Sequence, residues 1–128
     1  MPNCFWRIPK YDLNCAKNKI MIIGVAGPYS AATEEEKQIN LDAMNTVAAR
    51  LLELGHIPLI GVNAALPVLQ KAKVRDRYQG IMDISMAVIS ACEAILVLAE
   101  SPGANRERDM ALSKGLPVYY AIDEIPLN

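Results

Sequence analysis

From residue 20 onward, short apolar runs alternate with segments in which apolar residues recur every three or four positions. The first run, IMIIGVA from Ile20, is continuous, which is typical of a strand buried on both faces. Further runs are HIPLIGV, AILVLA and LPVYYAI. Strands that alternate with helices indicate a right-handed, mostly parallel sheet. The predicted fold is therefore α/β, a flavodoxin- or Rossmann-like three-layer sandwich with four to five strands.

Three helices are predicted between these strands. Thr33 and Glu36 form a capping box, and the apolar stripe that follows ends at Gly55 and consists of Leu41, Met44, Ala48 and Leu51. A second stripe precedes the third strand and consists of Ile81, Ile84, Val88 and Cys92. A third helix is predicted from Pro102 to Lys114. The segment around Pro67, with the mixed run KAKVRDR, is predicted to be a loop.

The chain of 128 residues is long enough for one domain with a sizeable core. The pattern assigns residues 20–128 to this domain and residues 1–19 to an N-terminal extension. In the extension, Phe5 and Trp6 either cover an edge or a subunit contact, or belong to a loosely attached arm.

Composition excludes several classes of function. A net charge of -1 gives no electrostatic reason to bind nucleic acid or an anionic membrane surface. The apolar run from Ile20 is too short to span a bilayer. The three cysteines show no CxxC spacing, which favours a reducing compartment, so a cytoplasmic location is expected.

Two loops are candidates for ligand binding, because ligands bind parallel sheets outside the carboxyl ends of the strands. They are GVAGPYSAA after the first strand and AESPGAN after the third. Their small residues let a ligand approach the backbone closely. In the first loop, Gly24 and Gly27 match neither a dinucleotide fingerprint nor a Walker loop, and a tight turn is its simpler interpretation.

The second loop contains more chemistry. Ser101 is predicted to cap the following helix and Pro102 to be its first residue, which leaves the amides of Gly103 and Ala104 free for an anion. Helical side chains lean toward the N-terminus, so Glu107 reaches back over these two small residues. The glutamate is then either catalytic or an acid that gains a little from the helix dipole.

Other polar residues receive weaker interpretations. Asp83 is predicted to begin the helix before the third strand, near the same sheet edge, where the dipole also favours an acid. His56 is interpreted as structural and Glu93 as a solvated turn residue. With one histidine and no ligand cluster, the sequence predicts no metal site and no Ser-His-Asp triad. The basic stretch 71–77 is either a solvated surface or a phosphate-facing rim.

Residues 20–118 resemble the nucleoside 2'-deoxyribosyltransferase-like superfamily, which includes the deoxynucleoside 5'-monophosphate N-glycosidases. The resemblance rests on GVAGPYS after the first strand, on Asp83, and on SPGANRE…A…GLPV after the third strand. The last segment is the specific one, because six of its residues fall in register: Ser101, Gly103, Glu107, Ala111, Gly115 and Pro117.

The resemblance implies an activity and a set of site residues. Glu107 attacks the anomeric carbon and displaces the base, and water or a second base resolves the glycosyl-enzyme. A carboxylate nucleophile must be ionised, and the helix amides are expected to favour that form. Asp83 assists at the sugar or the departing base. The substrate is bound by Gly27, Pro28, Tyr29, Ser30, Ser101, Gly103 and Ala104, and the reaction needs no cofactor.

The resemblance also favours one substrate class. Branches that act on free nucleosides place an aspartate six residues before the nucleophile, whereas the monophosphate hydrolases carry a serine, as Ser101 here. A carboxylate would repel a phosphate, and a hydroxyl beside free amides would receive it. The family commonly has an aspartate at Glu93, and Asn128 ends the chain before the tail that completes a neighbour's site in the transferases, so a homo-oligomer is expected. The alternatives are deoxyribosyl transfer between bases on free nucleosides, a non-catalytic nucleotide-binding module, and an accessory protein.

Overall fold

The computed structural model describes residues 19–127, so Phe5 and Trp6 lie outside the described residues. Four parallel strands form one sheet in the order β2-β1-β3-β4. The strands are β1 (Ile22–Ala26), β2 (Ile57–Leu59), β3 (Ala94–Val97) and β4 (Val118–Tyr119). The helices are α1 (Glu34–Glu53), α2 (Gly61–Lys71), α3 (Arg77–Ser90) and α4 (Pro102–Ser113), with a 3-10 turn at Ile122–Glu124. This architecture confirms the predicted α/β fold.

The sheet reverses its order at β1, which pairs with β2 on one side and with β3 on the other. Ile22 lies opposite Ile57 in the first pair, and Ile23 lies opposite Ala94 in the second. The connections that follow β1 and β3 therefore leave the sheet beside each other at its carboxyl edge. Such a switch point is where open parallel sheets form their ligand crevice.

Alternation along the strands builds a core on each face of the sheet, because successive side chains point to opposite faces. On one face, Ile23, Val25 and Leu96 pack against Met44 and Leu51 of α1. The core on the other face is formed by Ala26, Ile89, Ile95, Val97, Ala104 and Ala111. Three layers result, as the sequence pattern predicts.

Helices α1 and α4 begin and end where the sequence predicts. The Thr33 hydroxyl accepts a hydrogen bond from the Glu36 amide over 3.1 Å. Gly55 and Gly115 follow the two helices with φ of 96° and 74°, a conformation that strongly favours glycine. After Gly55, the His56 amide donates back to the carbonyl of Leu51, as in a Schellman cap.

The prediction of a loop around Pro67 is wrong, because this segment is helix α2. Its N-cap, Ile60, forms no side-chain capping hydrogen bond, so the usual signal of a helix start is missing. Burial of Gly61, Ala65 and Leu69 at helical spacing stabilises it instead. The second strand consequently ends at Leu59 and is shorter than the predicted segment HIPLIGV.

Close packing between α2 and α3 explains the glycine that begins α2. A Cβ at Gly61 would lie 2.7 Å from both Cα and Cβ of Ser85. Only glycine lets α2 start at this crossing, which sets its N-terminus beside α3.

At the far side of the sheet, β4 is limited to Val118–Tyr119, shorter than the predicted LPVYYAI. Among the helices of residues 19–127, none has the length and apolar character needed to cross a membrane.

Candidate functional site

A cavity of about 700 Å³ opens at the carboxyl edge of the sheet, beside the loops after β1, β2 and β3. The amino-terminal ends of three helices face it, through Glu34 of α1, Gly61 of α2 and Pro102 of α4. The cavity is large enough for a nucleotide-sized molecule. It brings together most of the predicted site residues, namely Gly27, Tyr29, Ser30, Ser101, Gly103, Ala104 and Glu107.

The loop after β1 forms one wall of the cavity. Asn40 of α1 donates its side-chain amide to the Tyr29 carbonyl over 3.1 Å, which fixes the loop against the helix. The Tyr29 side chain packs on the core beside Met44. Pro28, which was predicted to bind substrate, is not among the residues that line the cavity.

Asp83 is not brought to the cavity either. The prediction that it begins a helix is wrong, because α3 starts at Arg77 with Asp76 as its N-cap. Asp83 lies in the middle of α3, is exposed, and accepts a hydrogen bond from the Gln79 side chain over 2.7 Å. The cavity is lined instead by other residues of α3, among them Met82 and Ser85. Asp83 is therefore not placed to take part in a reaction in this cavity.

Ser101 caps α4 as predicted, and this cap occupies one of the two amides that were predicted to be free. Its hydroxyl oxygen accepts a hydrogen bond from the Ala104 amide over 3.0 Å. The prediction that the Ala104 amide is free is therefore wrong. The Gly103 amide, at the second helical position, has no hydrogen-bond partner within the described part of the chain. The Ser101 O–H and the Gly103 N–H remain available to a ligand.

Glu107 lies on the cavity side of α4, one turn after Gly103. Residues 19–127 offer its carboxylate neither a hydrogen bond nor an ion pair. Burial raises the pKa of Glu107 from its ordinary 4.5 to about 7. This direction is opposite to the expectation that helix amides favour the ionised form. Near neutral pH the carboxyl group is divided between its two protonation states.

Two cavity residues, Arg106 and Tyr78, were not identified from the sequence. The Arg106 Nη2 donates to the Tyr78 hydroxyl over 2.6 Å, and its Cζ lies 6.0 Å from the centre of the Tyr78 ring. The Arg106 Nε is buried without a hydrogen-bond partner in the described structure. Twenty-eight residues separate this pair, so no local pattern could have revealed it.

Ser85 is a further cavity residue that sequence reasoning missed. Its side chain is buried, with 5% of its surface exposed, and its hydroxyl has no hydrogen-bond partner in the part of the chain that the structure describes. A buried hydroxyl is nearly always paired in proteins. Its unused hydrogen-bonding capacity faces the same space as Glu107.

Most of the basic residues in the stretch 71–77 are exposed to solvent, and one of them faces the cavity. Lys71, Lys73 and Arg75 are exposed and do not line the cavity. Arg77 lines it, but its Nη1 donates to the Leu69 carbonyl over 2.6 Å. Within residues 19–127, no three histidine, cysteine, aspartate or glutamate side chains lie close enough together to hold a metal ion.

Fold and cavity together define the class: a parallel α/β protein with a cavity at the switch point of its sheet. The chain belongs to the family described as "Domain of unknown function (DUF4406)", whose sequence profile matches residues 21–120. No curated protein matches the chain. The family description names no activity, so the function is argued from the cavity.

Proposed function

We propose that the protein cleaves the N-glycosidic bond of a deoxynucleoside 5'-monophosphate through a covalent intermediate on Glu107. The observation that carries the proposal is the position of this carboxylate, which faces a nucleotide-sized cavity without a partner in the described chain. A buried acid without a partner is unfavourable for folding. A role in the reaction explains why it is present, since functional groups are often kept at a cost in stability.

The raised pKa is compatible with this role. With a pKa of about 7, roughly half of the molecules carry an ionised Glu107 at neutral pH, and only the ionised form is a nucleophile. Perturbed acids in clefts are frequent at functional sites, which agrees with the proposal.

The reaction proceeds in two displacements. An oxygen of ionised Glu107 forms a bond to C1' of the sugar while the bond between C1' and the base nitrogen breaks. The base leaves with the electron pair and takes up a proton from water. A second water then attacks C1', the bond to Glu107 breaks, and the proton of that water is released to solvent. The products are the free base and deoxyribose 5-phosphate.

Two donors support a phosphate-bearing substrate over a free nucleoside. The Ser101 hydroxyl accepts from the Ala104 amide and still has its own proton to donate. The Gly103 amide lies on the same helical turn, at the N-terminus of α4, where the helix dipole favours a negative charge. A phosphate oxygen can accept from both groups.

The proposal is tested by incubating the purified protein with each deoxynucleoside and each 5'-monophosphate without added metal, and detecting free base by chromatography. We expect base release from at least one monophosphate and slower release from its nucleoside. A parallel incubation with a second free base distinguishes transfer from hydrolysis, because transfer yields a new nucleoside. Failure to release base from any of these compounds contradicts the proposal.

A second candidate function is a non-catalytic nucleotide-binding module. The observation that favours it is the lack of a second free acid in the described cavity. Asp83 lies outside the cavity, and Glu34, which lines it, forms an ion pair of 3.0 Å with Lys37. No second carboxylate is therefore placed to protonate a departing base. Tight binding of a nucleotide without base release is the result that selects this function.

We also propose that the protein forms a homo-oligomer, in keeping with the expected sharing of a site between subunits. Large apolar side chains are exposed on the described surface, including Ile39, Leu52, Leu112 and Tyr120, each more than half exposed. Exposed apolar surface often marks contacts between subunits. Light scattering during size-exclusion chromatography measures the mass, and a monomer at all concentrations contradicts this part of the proposal.

A further inference from the structure

We propose that Arg106 is the residue that binds the anionic group of the ligand and selects a phosphate-bearing substrate over its neutral counterpart. The inference rests on the proposed function, because it concerns the same cavity and the same substrate class. It adds a specificity-determining residue that neither the sequence pattern nor the family description indicates.

The first support is the charge of Arg106, which is not neutralised within the protein. None of the ion pairs in the described part of the chain includes Arg106. Its Nη2 donates to the hydroxyl of Tyr78, which positions the guanidinium but carries no counter-charge. Its Nε is buried and donates to nothing in residues 19–127. A partly buried guanidinium with an unused donor is costly unless an anion reaches it.

The other cations that line the described cavity have partners of their own. Lys37 pairs with Glu34 at 3.0 Å, whereas Arg77 forms no ion pair in the described chain but donates to the Leu69 carbonyl and has no buried nitrogen without a partner. Arg106 is thus the cavity cation whose charge and Nε donor both remain available. An arginine also suits a phosphate geometrically, since its planar fork can give two parallel hydrogen bonds.

Open space lies where such an anion would bind. Arg106 follows Gly103 by three positions, so the two residues lie on the same face of α4, and both line the cavity. A Cβ placed on Gly103 would meet no atom within 4 Å. The unpaired Gly103 amide and the Ser101 hydroxyl border this space. An anion bound here would find a side-chain donor, a hydroxyl and a backbone amide lining the same cavity.

The buried hydroxyl of Ser85 is an independent sign that a polar ligand completes this cavity. Its Oγ lies in the cavity wall on α3, away from α4, and has no partner within the described chain. Unpaired buried groups on two different helices are explained together if a ligand supplies the missing partners. The anionic end of that ligand belongs at Arg106, because Arg106 is the described cavity cation that combines an unpaired charge with a buried donor without a partner.

The test measures binding by calorimetry in the full chain carrying Glu107→Gln, so that the ligand is not consumed. The ligands are the four deoxynucleoside 5'-monophosphates, the matching nucleosides, and inorganic phosphate. Adding Arg106→Gln should weaken monophosphate binding ~10–100-fold, the effect of a charge-assisted hydrogen bond. Nucleoside binding should change less than ~3-fold, because no anion is present. Arg106→Lys should fall between, since it keeps the charge and loses the fork.

Arg108→Gln is the matched control. It removes the same charge from the same helix, but Arg108 is paired with Asp109 at 3.0 Å and does not line the cavity. We expect less than ~3-fold change in any affinity with this variant, because the charge of Arg108 is already paired and lies outside the cavity. A loss as large as that of Arg106→Gln would mean a general effect of charge and would overturn the inference.

Further outcomes are equally decisive. Equal weakening of monophosphates and nucleosides would mean that Arg106 only shapes the cavity, and unchanged affinity or no monophosphate binding at all would overturn the inference. If Arg106→Gln does not fold, Tyr78→Phe replaces it, with an expected ~3–10-fold loss confined to monophosphates because the guanidinium is less firmly positioned. Inorganic phosphate should compete with monophosphates only when Arg106 is present. If inorganic phosphate binds as tightly as the monophosphates, the cavity is a site for free phosphate, and the substrate assignment is overturned.

The two proposals fail in different ways. If the wild type binds monophosphates through Arg106 but releases no base, the inference about Arg106 stands and the proposed glycosidase activity is refuted. Base release that persists with the same preference for monophosphates in Arg106→Gln removes the inference and leaves the glycosidase.

Discussion

The polar residues at the two edges of the parallel sheet differ in whether their hydrogen-bonding groups have partners within the protein. At the amino edge, the His56 Nδ1 accepts from the Met21 amide over 3.1 Å and its Nε2 donates to the Pro126 carbonyl over 2.6 Å. Glu93 accepts from the Ile22 amide over 2.9 Å. At the carboxyl edge, the charged or polar groups of the cavity have unused hydrogen-bonding capacity.

The amino edge shows polar residues that serve folding. His56 is 1% exposed, so its two hydrogen bonds satisfy both ring nitrogens in the core and support its interpretation as structural. Glu93 is an exposed turn residue, as predicted, and its carboxylate also accepts a hydrogen bond from the backbone at the start of β1. Burial, with smaller contributions from nearby glutamates, raises the pKa of the Cys92 thiol to about 11, so Cys92 is a neutral thiol near neutral pH.

The carboxyl edge has the opposite character. Glu107 lacks a partner in the described chain, and Arg106 and Ser85 each contain a buried atom without one. A fold that can satisfy His56 completely could also have satisfied these groups. Under the function proposed for the cavity, a bound ligand would supply the missing partners at this edge.

The largest effect is expected from Glu107→Gln, which keeps the shape of the side chain and removes the nucleophile. Base release should fall by at least ~1000-fold, as is typical when a covalent route is closed. Stability at neutral pH should be unchanged or higher, because a buried ionisable group is lost. Steady-state kinetics and urea unfolding measure the two quantities.

Asp109→Asn is the control for this variant. It makes the same chemical change on the same helix, at an exposed residue outside the cavity. Turnover should remain near that of the wild type. Near-normal turnover in Glu107→Gln would refute its role as nucleophile, and extensive unfolding would make that role structural.

A somewhat smaller effect is expected from Ser101→Asp, which puts a negative charge at the N-terminus of α4. Aspartate is also a good N-cap, so the fold should be retained. Like charges in contact repel by a few kcal/mol even at an effective dielectric near ~20, so the ratio of kcat/KM for monophosphate over nucleoside should fall ~100–1000-fold. Ser101→Asn has the same shape without the charge and should change the ratio far less. An unchanged ratio in the active Ser101→Asp variant would mean that Ser101 does not meet the phosphate.

At the amino edge, His56→Ala should reduce stability and leave ligand preference intact. The change leaves the Met21 amide and the Pro126 carbonyl unpaired and opens a cavity, which together cost about 3 kcal/mol of unfolding free energy. Turnover per folded molecule and the preference for monophosphates should match the wild type. A selective loss of monophosphate binding in the folded variant would contradict the division between the edges.

The smallest effect concerns the pH dependence of stability. The folded-state pKa of Glu107, about 7, lies above its unfolded value of 4.5, so between these values the unfolded chain binds fewer protons than the folded one. The free energy of unfolding should therefore fall as the pH rises through this window, by about 2 kcal/mol after allowing for partial exposure. Glu107→Gln should lack this decline, as urea unfolding at pH 4.5 and 8 would show. Parallel pH profiles for the two proteins would mean that the carboxyl group is not buried in solution.

The sequence by itself determined the features that local pattern encodes. The continuous apolar runs predicted β1 and β3, and caps with positive-φ glycines fixed the ends of α1 and α4, because each depends on neighbours within about five residues. The same short range predicted that Glu107 and Gly103 share one face of α4, and both line the cavity. Even α3 carried a local signal that was missed, since Asp76 accepts from the Gln79 amide as an N-cap three residues before it.

Only the tertiary structure decided the rest. Helix α2 has an apolar N-cap and an internal proline, so packing against α3, and not its propensity, stabilises it. The contact of Arg106 with Tyr78 and the burial of Ser85 under Gly61 join residues more than twenty positions apart. The pKa of Glu107 depends on how much protein surrounds it. Such contacts follow from how whole elements pack, and this packing reaches beyond the span of residues in which a sequence pattern carries information.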